Sequence, residues 1–220
     1  MRLTKDKKVM LIGIPATRNG WLWECLKDEL INDINMYEEY FQVPHRGMLF
    51  LGDQKRTSWP PHTNNITVSS TCRLDRSSYQ KIATIRDPWE RYVGLFEFLS
   101  NNPEHAMRKR TRNWNFENFL FSVSRGDCTS DVVPQVNYLY NHAGKMDFDR
   151  IFKFEQITEI RKYFIEKGYK FQDIPVTSKP KNLAAYYTDE TKKLVGTMCW
   201  FEATFFGYRA PDLSGHMVAE

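Results

Sequence analysis

Apolar positions first gather between Lys8 and Ile14, where Val9, Met10, Leu11 and Ile12 follow one another without a polar break. A continuous run of this length predicts a strand buried on both faces, the pattern of a parallel sheet. Pro15 to Gly20 is a polar loop, and Leu22, Cys25, Leu26 and Leu30 then recur at helical spacing. A short second strand is expected at Met48–Leu51. Asp53 to Arg76, with Pro60 and Pro61 in its middle, reads as a long functional loop or a concealed helix. Tyr79–Ile85 is the next predicted strand. Asp87 is a natural N-cap and Pro88 a natural first helical residue, and Trp89, Tyr92, Val93, Phe96 and Leu99 stripe the helix they start.

Further along, helices are expected over Phe116–Val123 and Val132–Asn141, and a strand over Arg150–Phe154. Ile157, Ile160 and Phe164 mark a helix that Lys167-Gly168 ends. Pro175 to Ala185 is a lysine-bearing loop. Thr188 or Asp189 caps one last long helix with the apolar face Leu194, Val195, Met198 and Phe205. Strands alternating with helices predict an α/β fold, a mainly parallel central sheet flanked by helices.

Composition narrows the class. The chain has 220 residues, 41% of them apolar, which suits a single domain over 1–220 with a core that needs no staple. Fifteen Phe, 11 Tyr and 6 Trp exclude intrinsic disorder. The formal net charge of +4, from 31 basic and 27 acidic side chains, is too balanced for a dedicated nucleic-acid binder but permits a local anion pocket. Arg2, Lys5, Lys7 and Lys8 precede an apolar run too short for a signal peptide, and no stretch reaches the ~18 apolar residues of a membrane span. A soluble, cytoplasmic protein with no membrane partner is expected. Cys25, Cys72, Cys128 and Cys199 form no CxxC and lie near no paired histidines, so reduced thiols and no metal site are expected.

Ligands of open α/β sheets bind beyond the carboxyl ends of the strands, which here are followed by the Pro15–Gly20 loop and by Arg86-Asp87. A strand-loop-helix start of this kind is P-loop-like and suits phosphate or sulfate, although the nucleotide pattern GxxxxGK[ST] is absent. Two segments carry a resemblance. Ile12-Gly-Ile-Pro-Ala-Thr-Arg-Asn-Gly-Trp-Leu22 resembles a degraded sulfotransferase phosphosulfate loop, IPKTGGTSL, and Ile85-Arg-Asp-Pro-Trp-Glu-Arg-Tyr-Val-Gly-Leu-Phe96 resembles the family's second motif, VRDPxERxVSxY. Val133-Pro-Gln135, Asp149 to Glu155, Tyr186 to Glu190 and Phe205 to Tyr208 resemble later landmarks, in the family's order. The chain is thus similar, from Val9 to Tyr208, to carbohydrate-type sulfotransferases that use 3′-phosphoadenosine 5′-phosphosulfate (PAPS).

The resemblance implies sulfuryl transfer from PAPS to a hydroxyl acceptor, a carbohydrate or other small molecule, by in-line displacement without metal. Loop residues Thr17, Arg18, Asn19 and Gly20 would hold the 5′-phosphosulfate, and Arg86 the 3′-phosphate. The family serine that assists the arginine is Gly94 here, and the family lysine is Ala16, so Arg18 is the candidate to steady the developing charge. The acceptor proton needs a base. His62 is the first candidate, His45 the second and Asp53 the third. Lys179 and Lys181 occupy the segment the family folds over adenosine. Trp21 and Trp23 stack on adenine or sit in the core, and Gln135 matches a landmark without an evident role.

Alternatives stand beside each assignment. Arg86 also suits a strand-end salt bridge with a neighbouring acid, Arg91 reads as a solvated or salt-bridged helix residue, and Arg108–Arg112 with Trp114 reads as a solvated face or a site for an acidic polymer, glycan or nucleic acid. For the whole chain, the alternatives are a catalytically impaired relative that binds nucleotide or an acidic partner, a P-loop kinase, and a nucleic-acid-binding module motivated only by the basic cluster.

Overall fold

The computed structural model describes residues 2–6, 8–31, 78–102, 108–128, 132–141, 143–176 and 182–213. The expected strand at Met48–Leu51 and the Asp53–Arg76 segment lie outside them. The chain forms two compact units, Met1–Ile85 with Asn137–Pro175 and Arg86–Val136 with Val176–Glu220.

The first unit contains the sheet. Strands β1 (Arg2–Leu3), β2 (Val9–Ile12), β3 (Gln80–Ile85) and β4 (Arg150–Lys153) lie in the order β1-β2-β3-β4. β2, β3 and β4 are mutually parallel, and β1 runs antiparallel along β2. The α/β class and the mainly parallel sheet follow the alternation in the sequence. Register sets the faces: Leu11 is opposite Ile82, and Thr84 opposite Phe152. On that face Val9, Leu11, Ile82 and Phe152 pack with Leu22 of α1 (Asn19–Cys25), Leu26 and Leu30 just beyond it, and Ile160 and Phe164 of α5 (Ile157–Glu166). The other face holds Met10, Ile12, Ala83 and Ile85, all buried as well. Burial on both faces explains why β2 has no polar alternation.

Helix α5 ends as the sequence predicts. Gly168 is left-handed with φ 85°, its N–H reaches the Ile165 carbonyl, and the Tyr169 N–H reaches that of Phe164. These are the two bonds of a Schellman stop, whose left-handed residue favours glycine.

The second unit contains helices α2 (Pro88–Asn101), α3 (Arg108–Thr111), α4 (Phe116–Ser124), α6 (Asp189–Met198) and α7 (Trp200–Phe206). Much of the chain's aromatic content is used here. Phe116 meets Phe96 at 5.6 Å and Tyr187 at 4.9 Å, both edge-on, and the Tyr187 hydroxyl donates to the Trp89 carbonyl at 2.9 Å. α6 begins with a reciprocal cap: the Thr188 hydroxyl accepts from Thr191 N–H, and the Thr191 hydroxyl accepts from Thr188 N–H.

Four expectations change. The helix expected over Val132–Asn141 is only a 3₁₀ turn at Gln135–Tyr138, because Pro134 steers the residue before it away from helical angles. The single long C-terminal helix is two, broken at Cys199, and Val195, Cys199, Glu202 and Ala203 are the residues buried across the break. Phe205, expected in the core, is 59% exposed, and Trp200 is 64% exposed. Arg91, expected to be solvated or salt-bridged, is fully buried rather than solvated, with its guanidinium 5.7 Å from the centre of the Tyr92 ring. Among the described residues no helix is long and apolar enough to cross a membrane, and Cys25, Cys128 and Cys199 are free thiols.

Candidate functional site

In the first unit the candidate residues lie in the turn between β2 and α1. Two of them hold left-handed backbone without being glycine: Ala16 at φ 59° and Arg18 at φ 62°. Such residues cost about 1–2 kcal/mol each and persist where surrounding bonds determine the chain path. Those bonds converge on Ile14, whose carbonyl accepts from the Thr17 hydroxyl at 3.0 Å and from the Asn19 side-chain amide. That orientation leaves the Asn19 Oδ1 as an acceptor, and the Thr84 hydroxyl of β3 donates to it at 2.8 Å. Thr17 and Thr84 also approach to 3.4 Å. Since each hydroxyl has one proton, and those protons go to Ile14 and Asn19, this last contact adds little.

Thr17, Asn19 and Thr84 are therefore all buried and bonded to the loop itself. Their side chains hold the loop's shape, and the Thr17 N–H also turns inward to the Ile14 carbonyl at 3.4 Å, so contact with a ligand from Asn19 falls to its backbone N–H. Arg18 is half-buried, and Gly20 is exposed with open space where a Cβ would stand. Nothing within the described chain requires glycine at position 20. Trp21 is packed, not presented: its indole N–H donates to the Ile174 carbonyl at 2.8 Å and its ring meets Phe154 and Phe171 edge-on.

In the second unit Arg86 and Gly94 come together. Asp87 caps α2 by accepting the Glu90 N–H at 3.0 Å, with Pro88 at the first helical position. One turn in, Glu90 reaches back to Arg86, its Oε2 taking Nη2 at 2.7 Å and Nε at 3.3 Å. The strand-end salt bridge is thus present. Because these two contacts use Nε and Nη2, the Nη1 edge of the guanidinium is not engaged by Glu90. That edge lies against Gly94, where a Cβ would come within 3.2 Å of Nη1. Arg86 is only 3% exposed, so its charge sits where an anion would meet little competing water.

Gln135 explains how Arg86 is held. Its Oε1 accepts the Arg86 N–H at 2.8 Å and its Nε2 donates to the Arg86 carbonyl at 2.7 Å. The amide thereby treats Arg86 as a neighbouring strand would. Glu202, 1% exposed, accepts from Gln135 Nε2 and from the Val136 N–H, each at 3.2 Å. Nearby, burial pushes the Cys199 thiol far above its ordinary range, and the Glu202 charge adds to this. Burial also raises Tyr92, whose hydroxyl donates to the Val132 carbonyl at 2.9 Å. Neither group is available as a nucleophile or base near neutral pH.

Sequence reasoning passed over Thr84, Glu90 and Glu202. Thr84 was the one polar residue in the 82–85 half of a strand otherwise apolar there, and that was its available signal. His45, His62, Asp53, Lys179 and Lys181 lie outside the described residues. Trp23 is half-buried beneath the Arg2 guanidinium, 5.5 Å from its ring centre. Lys109, Arg110 and Arg112 are exposed on and just after α3, as a solvated face would be. No protein-family model matches the chain, and comparison with characterised proteins and with solved structures likewise finds no match.

Proposed function

We propose that the protein is a PAPS-dependent sulfotransferase, moving a sulfuryl group to a hydroxyl acceptor. The observation that carries this reading is Arg86: a buried guanidinium following a parallel strand, its backbone clasped by Gln135 and its Nη1 edge resting on a glycine. A planar fork with donors to spare suits a phosphate oxygen pair, and a phosphate fits the chemistry of that edge. In this reading Arg86 recognises the 3′-phosphate. The P-loop-like turn offers backbone N–H groups to the 5′-phosphosulfate, with Arg18 steadying the charge that develops there. The donor supplies an activated sulfuryl group. His62, or else His45, takes the acceptor's hydroxyl proton as its oxygen bonds to sulfur and the bond from sulfur to the phosphate oxygen breaks. Lys179 is the remaining cationic candidate for the nucleotide.

A second reading is a nucleotide-binding relative without turnover. Ala16, in place of a cation, favours it, as do the inward Thr17 and Asn19 side chains. A P-loop kinase is disfavoured by the missing GK[ST].

Thermal shift with the product nucleotide 3′-phosphoadenosine 5′-phosphate (PAP), against ATP and a single-stranded oligonucleotide, tests the proposal. PAP at 100 times its Kd adds about 2.7 kcal/mol of stability. Arg86→Ala is expected to abolish that shift. No shift with PAP, or an equal one with ATP, overturns the reading. A PAP shift without PAPS consumption on any acceptor of a hydroxyl panel selects the second reading.

A further inference from the structure

We propose that Gln135 and Glu202 are positioning residues for Arg86, and that they set its selectivity for a 3′-phosphate. The selectivity half rests on the sulfotransferase reading above. The positioning half rests on geometry alone. An arginine side chain is long and loses much rotamer freedom on ordering, so its aim depends on a fixed backbone and a fixed root. Gln135 supplies both hydrogen bonds that a sheet partner would supply to residue 86, at 2.8 and 2.7 Å. An amide can do this in one orientation only, with oxygen toward the Arg86 N–H and nitrogen toward its carbonyl.

Glu202 enforces that orientation. Its carboxylate accepts from Gln135 Nε2 at 3.2 Å and is anchored in turn by the Val136 N–H at 3.2 Å. Turning the amide over would set Gln135 Oε1 against both a carboxylate and the Arg86 carbonyl, while leaving the Arg86 N–H facing a donor. In a site where Gln135 and Glu202 are each 1% exposed, no water relieves that mismatch. The series Glu202, Gln135, Arg86 backbone thus fixes the guanidinium from behind, while Glu90 holds it from the side through Nε and Nη2. Two restraints from different directions leave Nη1 as the edge that meets the ligand.

The test uses the full chain with Gln135→Met, Glu202→Gln, Arg86→Ala and the Arg86→Ala/Gln135→Met pair. Calorimetric titration compares PAP with AMP, which lacks the 3′-phosphate, and nitrogen-proton NMR follows the Arg86 Nε–H, assigned by its loss in Arg86→Ala. Gln135→Met is expected to weaken PAP at least tenfold, to leave AMP within twofold, and to add nothing to Arg86→Ala. Its Arg86 Nε–H should move and exchange with solvent at least tenfold faster. Glu202→Gln, which keeps the shape and one acceptor, should act in the same direction by a smaller factor, and it carries both readouts if Gln135→Met does not fold. An unchanged Arg86 Nε–H, equal losses for PAP and AMP, or full additivity with Arg86→Ala overturns the proposal. Wild-type protein that fails to distinguish PAP from AMP overturns the sulfotransferase reading and the selectivity with it. The NMR readout still decides the positioning half in that case.

Discussion

The Thr84 hydroxyl donates to Asn19 Oδ1 at 2.8 Å, tying the last turn of the phosphate-loop candidate to strand β3. Both side chains are almost fully buried. Thr84→Val keeps the shape but leaves Asn19 with a buried acceptor and no partner. A loss of about 1–3 kcal/mol is expected, read as a lower urea midpoint with unchanged slope. The double change with Asn19→Leu should cost less than the sum of its parts, since it removes both polar groups together.

Gly20→Ala separates a ligand's demand from the fold's. A Cβ there has open space, and the residue lies in α1, so folding stability should rise by about 0.5–1 kcal/mol. If the loop holds the 5′-phosphosulfate as proposed, PAP affinity should fall at least tenfold, because the added methyl would then crowd the phosphate's approach to the backbone. Unchanged PAP affinity in a folded variant would remove the loop from the nucleotide site.

Ala16→Lys restores a cation where the sulfotransferase pattern has one. Position 16 already carries a Cβ at φ 59°, so the substitution adds no backbone penalty beyond the one present. PAPS turnover is expected to rise at least tenfold through stabilisation of the leaving charge. No gain means Arg18 already fills the role, and Arg18→Ala should then eliminate turnover while PAP still binds.

The Tyr169 hydroxyl donates to Asp6 at 2.9 Å and gives the first unit a pH signature. Burial first, and then the Asp6 carboxylate, push Tyr169 up from 10.0 to about 12. Stability from this group is full below pH 10.0 and drains away as pH rises toward 12. Burial also works to raise Asp6, but bonds from Thr4, Lys8 and Tyr169 outweigh it and hold the carboxyl below 3.8. Its contribution is full above pH 3.8 and is lost as pH falls through the lower folded value. Denaturation across pH should show Tyr169→Phe removing the alkaline loss and shrinking the acid one. An unchanged alkaline limb would contradict the assignment.

The sheet was legible because burial on two faces writes itself as an unbroken apolar run, as at Val9–Ile12. The start of α2 was legible because Asp87 and Pro88 are local signals whose geometry needs no distant partner. What stayed hidden was non-local. Gln135 was noticed without a role because its meaning lies in two peptide groups of a residue far along the chain. Of the two readings of Arg91, solvated or salt-bridged, burial removes the solvated one, and helical periodicity could not choose because it gives direction, not what fills the space there. Phe205 lies outside because the buried positions here are Val195, Cys199, Glu202 and Ala203, which share one face at helical spacing, and Phe205 is not on it.

The strand pairing also dictates when this protein can be made whole. Val9 pairs with Gln80 and Ile82 with Arg150, separations of roughly seventy residues each time, far above those of a helical bundle. At ribosomal speeds of about 5–20 residues per second, β2 emerges on the order of ten seconds before the β4 that completes its sheet. Until β3 emerges, roughly seventy residues after β2, the stretch of valine, methionine, leucine and isoleucine has only the two-residue β1 beside it. Yield in a cell should therefore depend on holding chaperones more than the finished fold would suggest, and slower translation should lengthen the exposure rather than relieve it.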